Sequence, residues 1–164
     1  MMRTLFLDLA LANEYNNAQW LTVMSDLPFD VLAEDQGGFF KSIFGTWNHI
    51  LLGDRIWLGR IFDRPFPIQT LHDQPCADWP SFVAERATTD QEFIDFVRSE
   101  SDFERTISYQ TTSGAPNEER LHRILNHVFA HQNHHRGQIS QMCHRLNIAT
   151  PDGGMIDYFR RPAE

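Results

Sequence analysis

Four of the chain's eight histidines, His127, His131, His134 and His135, fall within a nine-residue stretch that has no proline and clear helical periodicity. On a wheel at about 100° per residue, Leu121, Ile124, Leu125, Val128, Ile139, Met142 and Leu146 gather on one side. That side is the face a bundle helix buries. His131 and His135 sit near its middle as an i, i+4 pair, so their rings project from adjacent turns of one face. His127 and His134 lie at the edge of the stripe, and His122 and His144 point away from it. Two imidazoles aimed side by side into a core need a partner, because unpaired buried polar groups are costly. A transition metal suits two neutral imidazoles at this spacing. The competing account is a pair of core histidines bonded to backbone or water. The string is not the metalloprotease HExxH, since Gln132 stands where the catalytic Glu would be.

A fifth histidine, His49, lies in the middle of another apolar helical stretch, with Gly45 and Gly53 one turn to either side. Glycine inside a helix costs about 1 kcal/mol relative to alanine. The two glycines either permit close helix packing or leave space beside the His49 ring for a metal and a small ligand. Cys76 and Cys143 have no CxxC partner and read as plain thiols.

The elements that would position these residues can be read along the chain. Residues 4–24 form a first helix, with Leu5, Leu9, Ala12, Asn16 and Trp20 on helical spacing. The run of residues 5–12 has the apolarity of a signal sequence, but Asp8 interrupts it, and it reads as helix. Pro28 ends that helix, because proline disfavours helix in the residue before it. A linker with Gly37-Gly38 leads to a second helix over 39–62, apolar nearly all round. Residues 63–78 carry three prolines and read as loop, with His72 and Cys76 exposed. A third helix runs from Trp79 or Ser81 to Ser99, with Pro80 suited to a first turn and, at Thr89-Asp90-Gln91-Glu92, a capping-box pattern that allows a break near Thr88. The β-branched alternation of 106–111, followed by Ser113-Gly114, suggests a short strand or hairpin. The histidine helix covers 118–146, a turn occupies 151–154, and a short closing helix covers 155–160.

With 164 residues, 41% of them hydrophobic, the chain fits one globular domain over 1–164. A net charge of −8 argues against a nucleic-acid partner, since phosphate binding needs a basic face. Arg55, Arg60 and Arg64 are the candidates for a local basic patch, with a solvated helix face as the plainer account. No segment has the length and apolarity of a membrane-spanning helix. Two cysteines are too few for a disulfide framework, which suits the cytoplasm.

Four long helices, Trp47-Asn48-His49 and the string His-Gln-Asn-His-His-Arg-Gly-Gln at 131–138 resemble the DinB/YfiT-like family of damage-inducible metalloproteins. The resemblance extends to Ala12-Asn13, Tyr15-Asn16, Asp54-Arg55-Ile56-Trp57, Ser108-Tyr109-Gln110 and Asp157-Tyr158. It implies an all-α fold, a four-helix bundle of up-down-down-up type, commonly dimeric, with the short hairpin before the last long helix. It also implies that His49, His131 and His135 hold a divalent metal, zinc or nickel. Some members of the family transfer a low-molecular-weight thiol or isomerise with its help, while others have no established activity, so fold alone does not fix the reaction.

Three neutral imidazoles leave zinc an open position, as in catalytic sites. Ligand histidines usually donate their second ring nitrogen to an acceptor. Gln138, seven residues from His131 on the same face, is the best placed acceptor; Asn16, Asn48 and Asp54 are others. His127 is a candidate fourth ligand or acid/base, and Arg136 and Gly137 read as packing and salt-bridge residues. The expectation is a cytoplasmic, homodimeric, metal-dependent protein, a thiol S-transferase or hydrolase acting on a small electrophile. The catalytic candidates are His127 and Gln138. The alternatives are a non-catalytic metal-binding stress-response protein and a purely structural bundle.

Overall fold

The computed structural model describes residues 1–64, 66–151 and 154–161, so Pro65 of the proline-rich loop and Asp152 and Gly153 of the expected turn lie outside it. Four long helices dominate: α1 (Met2–Ser25), α3 (Ile43–Ile61), α4 (Trp79–Ser99) and α5 (Leu121–Arg145). Two five-residue helices, α2 (Phe29–Ala33) and α6 (Met155–Phe159), flank them. A hairpin of β1 (Thr106–Gln110) and β2 (Pro116–Arg120) precedes α5.

The starts of α3, α4 and α5 have local causes. Ser42 caps α3 by accepting the Gly45 N–H at 3.0 Å, and Asp78 caps α4 by accepting the Ser81 N–H at 2.8 Å. Such a cap contributes about 1 kcal/mol. α4 runs unbroken through Thr88, so the capping-box pattern there is not a helix start. The second helix begins at Ile43 rather than at 39, because Lys41, at φ 68°, turns the chain before it. The histidine helix begins at Leu121 rather than 118. Residues 118–120 are polar enough for a helix but pair antiparallel with 106–108, Thr106 opposite Arg120. The N–H groups of Leu121 and His122, which have no intrahelical partner, donate instead to the carbonyls of Arg105 and Phe103, both at 3.0 Å.

α1 packs along α4 and α3 along α5, while α3–α4 and α1–α5 contacts close the ring. The sequence neighbours α1 and α3 therefore sit across the diagonal. α3 is buried nearly all round, as its apolarity requires, and finds its cover within one chain. On α1 the buried residues are Phe6, Ala10, Ala12, Asn13, Asn16, Asn17, Trp20 and Met24, so Ala12, Asn16 and Trp20 of the expected face are buried while Leu5 is exposed.

The core consists of two apolar clusters. One gathers Phe6, Leu58, Phe93, Val97, Ile107, Leu121 and Leu125. The other gathers Trp20, Ile43, Trp47, Leu51, Phe82, Ile139 and Cys143. Between them in sequence on each long helix fall the buried polar residues: Asn13 and Asn17 on α1, Asp54 on α3, Arg86 and Asp90 on α4, Gln132 and Arg136 on α5. Arg86 binds Asp54 at 2.5 Å and Asp90 at 2.8 Å, and Asn17 Nδ2 donates to Asp90 Oδ1 at 3.0 Å. Asn13 Nδ2 reaches Gln132 Oε1 at 2.9 Å, and Arg136 Nη1 donates to Asn13 and Asn17. A hydrogen-bonded layer thus crosses all four helices. Pairing of this kind offsets most of the cost of burying polar groups, although among the described residues Asp54 Oδ1 and Gln132 Nε2 have no partner.

Candidate metal centre

α3 supplies His49 and α5 supplies His131 and His135, and their close packing brings the three rings together. Nε2 of His131 lies 3.1 Å from Nε2 of His49 and 3.0 Å from Nε2 of His135. One ligand atom from each falls within 4.8 Å of the others, so the group could hold a metal ion. His49 and His135 are buried and His131 is half-buried.

The second nitrogens fix the tautomers. Nδ1 of His49 lies 3.2 Å from the Leu71 carbonyl oxygen, and Nδ1 of His135 lies 2.7 Å from Gln138 Oε1. Only an N–H can donate to those oxygens, so both Nε2 atoms present lone pairs. Both point at the single Nε2 of His131, which carries one proton at most. At least one contact is therefore lone pair against lone pair unless a cation lies between them. Nitrogens about 2.1 Å from a zinc ion would stand roughly as far apart as these do. The donor set fits a divalent metal.

Protonation would oppose that use, and the surroundings discourage it. Burial, with His135 beside it, lowers His49 to about 4. Burial, with His135 and His49 adjacent, lowers His131 to about 3. Burial also lowers His135, against the pull of its Gln138 bond.

The two glycines of α3 have separate reasons. A Cβ on Gly53 would stand 3.1 Å from His131 Cε1, so that glycine makes room for a triad ring. A Cβ on Gly45 would collide with the Phe40 carbonyl oxygen. Gly45 therefore lets the 36–42 loop close over the site, where the Phe40 ring stacks on His49 at 3.7 Å between centroids. Sequence patterning did not single out Phe40 or the Leu71 carbonyl. A loop residue in a Gly-rich linker and a backbone oxygen have no side-chain signature.

Other candidates fall elsewhere. Asp54 is committed to Arg86, Asn16 Nδ2 donates to the Ala12 carbonyl at 2.8 Å, and Asn48 binds the Phe44 carbonyl and the Cys76 N–H. Among the described residues none of these accepts from the triad: Asp54 serves the interior layer, Asn48 Oδ1 takes the Cys76 N–H of the loop, and Asn16 bonds its own helix. His127 is exposed, its ring 5.7 Å from that of His131 and 5.6 Å from Trp57. Among the described residues Arg136 forms no salt bridge and binds amides instead, and Gly137 has no packed neighbour. His72 is exposed, whereas Cys76 is buried against the core. Arg55 pairs with Glu85 and Glu92, Arg60 lies over Trp57 and Tyr109, and Arg64 lies over Phe62.

A four-helix bundle whose second and fourth long helices hold three converging imidazoles defines a class of helical, potentially metal-binding proteins. The DinB family profile matches residues 1–153, and the chain belongs to that family. A DinB-like protein from Bacillus cereus ATCC 10987, known from its crystal structure, superposes with a TM-score of 0.64 at 16% sequence identity. The match covers 85% of this chain and 91% of that one. At this identity the likeness speaks for the fold. No curated protein matches the chain. Among the described residues no helix is long and apolar enough to cross a membrane.

Proposed function

We propose that His49, His131 and His135 hold a divalent metal, zinc or nickel, and that the protein is a metal-dependent enzyme. Its reaction class is thiol S-transfer to, or hydrolysis of, a small electrophile, and its working form is a cytoplasmic homodimer. The observation that carries the reading is the convergence of three Nε2 atoms with two of the Nδ1 atoms tied to oxygen acceptors. A metal with three imidazole ligands and an open position supplies Lewis acidity and lowers the pKa of a coordinating water or thiol.

The remaining groups fit that use. Gln138 orients His135, Phe40 shields one face of His49, and exposed His127 stands beside His131 as the acid/base candidate. A cavity of about 330 Å³ adjoins the triad through Phe40 and Gln138 and is lined further by His134, Gln141 and Arg145. That volume suits a small molecule. Both of the chain's own thiols are buried, and burial raises them, Cys143 to about 11. A thiolate nucleophile has to be brought by the substrate.

The test combines elemental analysis of untagged protein with conjugation assays using several low-molecular-weight thiols and a reactive electrophile. Thiol transfer requires turnover by wild type that vanishes in His135→Ala, persists in His122→Ala and returns to stripped protein on adding metal. One bound ion per chain without turnover would leave a non-catalytic metal-binding protein. Protein that is stable and refuses both ions would sink the reading. Light scattering at micromolar concentration should give twice the 19.1 kDa chain mass.

A further inference from the structure

On the side of α5 turned towards α1, away from the histidines, a cavity of about 370 Å³ opens between α1, α5 and α6. Leu9, Phe129 and Met155 supply apolar wall, and Asn13, Asn16 and Arg136 supply the polar groups. Arg136 is only 8% exposed, yet its partners are all neutral. Its hydrogen bonds run through Nη1 alone, to Asn13 Oδ1 at 2.7 Å, Asn17 Oδ1 at 2.8 Å and Gln132 Oε1 at 3.5 Å. Among the described residues, Nε and Nη2 have no partner.

The contrast with Arg86 is informative. The interior layer holds two arginines and two aspartates, but Arg86 takes both carboxylates, Asp54 and Asp90. A guanidinium largely withdrawn from water without a carboxylate partner is a costly arrangement, and the cavity is where the free edge of Arg136 opens. Asn16, 6% exposed on the same wall, is a second unfinished group: among the described residues its Oδ1 accepts no hydrogen bond. A fixed guanidinium edge matches a carboxylate in two parallel bonds, an orphaned acceptor matches a hydroxyl or amino group, and the walls match a hydrocarbon body.

We propose that the cavity between α1, α5 and α6 binds a small organic carboxylate, its acid group on Arg136 and its apolar body between Leu9, Phe129 and Met155. This site is independent of the histidine triad and of any metal held there.

Calorimetric titration of the whole protein, as purified and after chelation, tests it. The probes are hexanoate, phenylacetate, mandelate and leucine, each beside its primary amide. At least one acid should bind one to one, equally well before and after chelation, with its amide about tenfold weaker or worse. Arg136→Lys keeps the charge but not the planar edge and should weaken binding about tenfold. Because Arg136 also serves the buried layer, a second variant leaves that layer untouched. Ala130→Trp, at an exposed position on the cavity rim, should abolish binding while thermal melting stays unchanged. Failure of all four acids, amides as good as acids, loss of binding on chelation, or binding that survives Ala130→Trp would each overturn the assignment.

Discussion

Oε1 of Gln138 lies 2.7 Å from Nδ1 of His135, just under one turn further along α5. The contact decides which nitrogen of His135 faces the triad. His49 is oriented the same way, but by the Leu71 carbonyl, which no side-chain substitution removes. Gln138 is thus the accessible handle on ligand orientation, and it is exposed, so changing it disturbs little else.

Gln138→Leu should weaken metal binding about 10- to 100-fold, the usual effect of losing a ligand's hydrogen-bond partner. Competition with a chromophoric chelator measures it. Stability of the stripped protein should move by no more than about 0.5 kcal/mol, as for other surface substitutions. Unchanged affinity would show that the bond does not hold the ring.

Gly53→Ala separates helix propensity from the needs of the site. Alanine should favour the helix by up to about 1 kcal/mol, but its Cβ would stand 3.1 Å from His131 Cε1, the atom next to Nε2. The ring must yield by a few tenths of an ångström, so metal affinity should fall while stripped-protein stability holds or rises. Gly53→Val, with more bulk at the same point, should lose metal further. Affinity equal to wild type in both would mean that the ring has room to spare.

The triad was legible in the sequence because apolar periodicity gives helix faces, and a histidine pair in the middle of such a face is conspicuous. His49 came from the family string, and geometry now gives it a place of its own. The polar layer was not legible. Asn13 and Asn17, Arg86 and Asp90, and Gln132 and Arg136 are each polar pairs at i, i+4. That spacing is also what solvent-facing helix surfaces show, and one strand of sequence cannot tell an inward polar pair from an outward one. Three such pairs on three helices were the available signal. The hairpin's capture of 118–120 was hidden for a similar reason: polar residues serve a helix start or an edge strand equally well, and the pairing partner decides.

Arg86→Leu tests the layer. It removes the cation that Asp54 and Asp90 share and leaves two buried carboxylates without it. Breaking a buried pair from one side typically costs about 3–5 kcal/mol, read here as a fall in the urea midpoint. The loss should be smaller at acidic pH, where Asp54, which burial already pushes up to about 6 against the pull of Arg86, is protonated. A loss below about 1 kcal/mol at neutral pH would show that the layer relaxes or hydrates at little cost.

The stripped protein should lose stability as pH falls from about 6.5 towards 4. In the folded chain burial and neighbouring imidazoles hold His49 at about 4 and His131 at about 3, below the ordinary value of 6.5. Inside that window the unfolded chain binds more protons than the folded one, and stability must fall with pH. Below the folded values both states are protonated and the effect is complete. Asp54 works in the opposite direction, since its raised pKa makes the folded chain take up a proton between its ordinary 3.8 and about 6. A comparison with His49→Gln/His131→Gln cancels that opposing contribution, because Asp54 is present in both proteins. The variant's urea midpoint should therefore fall less between pH 7 and pH 4.5 than that of stripped wild type. Metal-loaded wild type should fall most steeply, because protonation of the ligands also releases the ion and its contribution to stability. Equal slopes for stripped wild type and the double variant would mean that these imidazoles titrate as if exposed, contrary to the packing of their rings against Phe40 and one another.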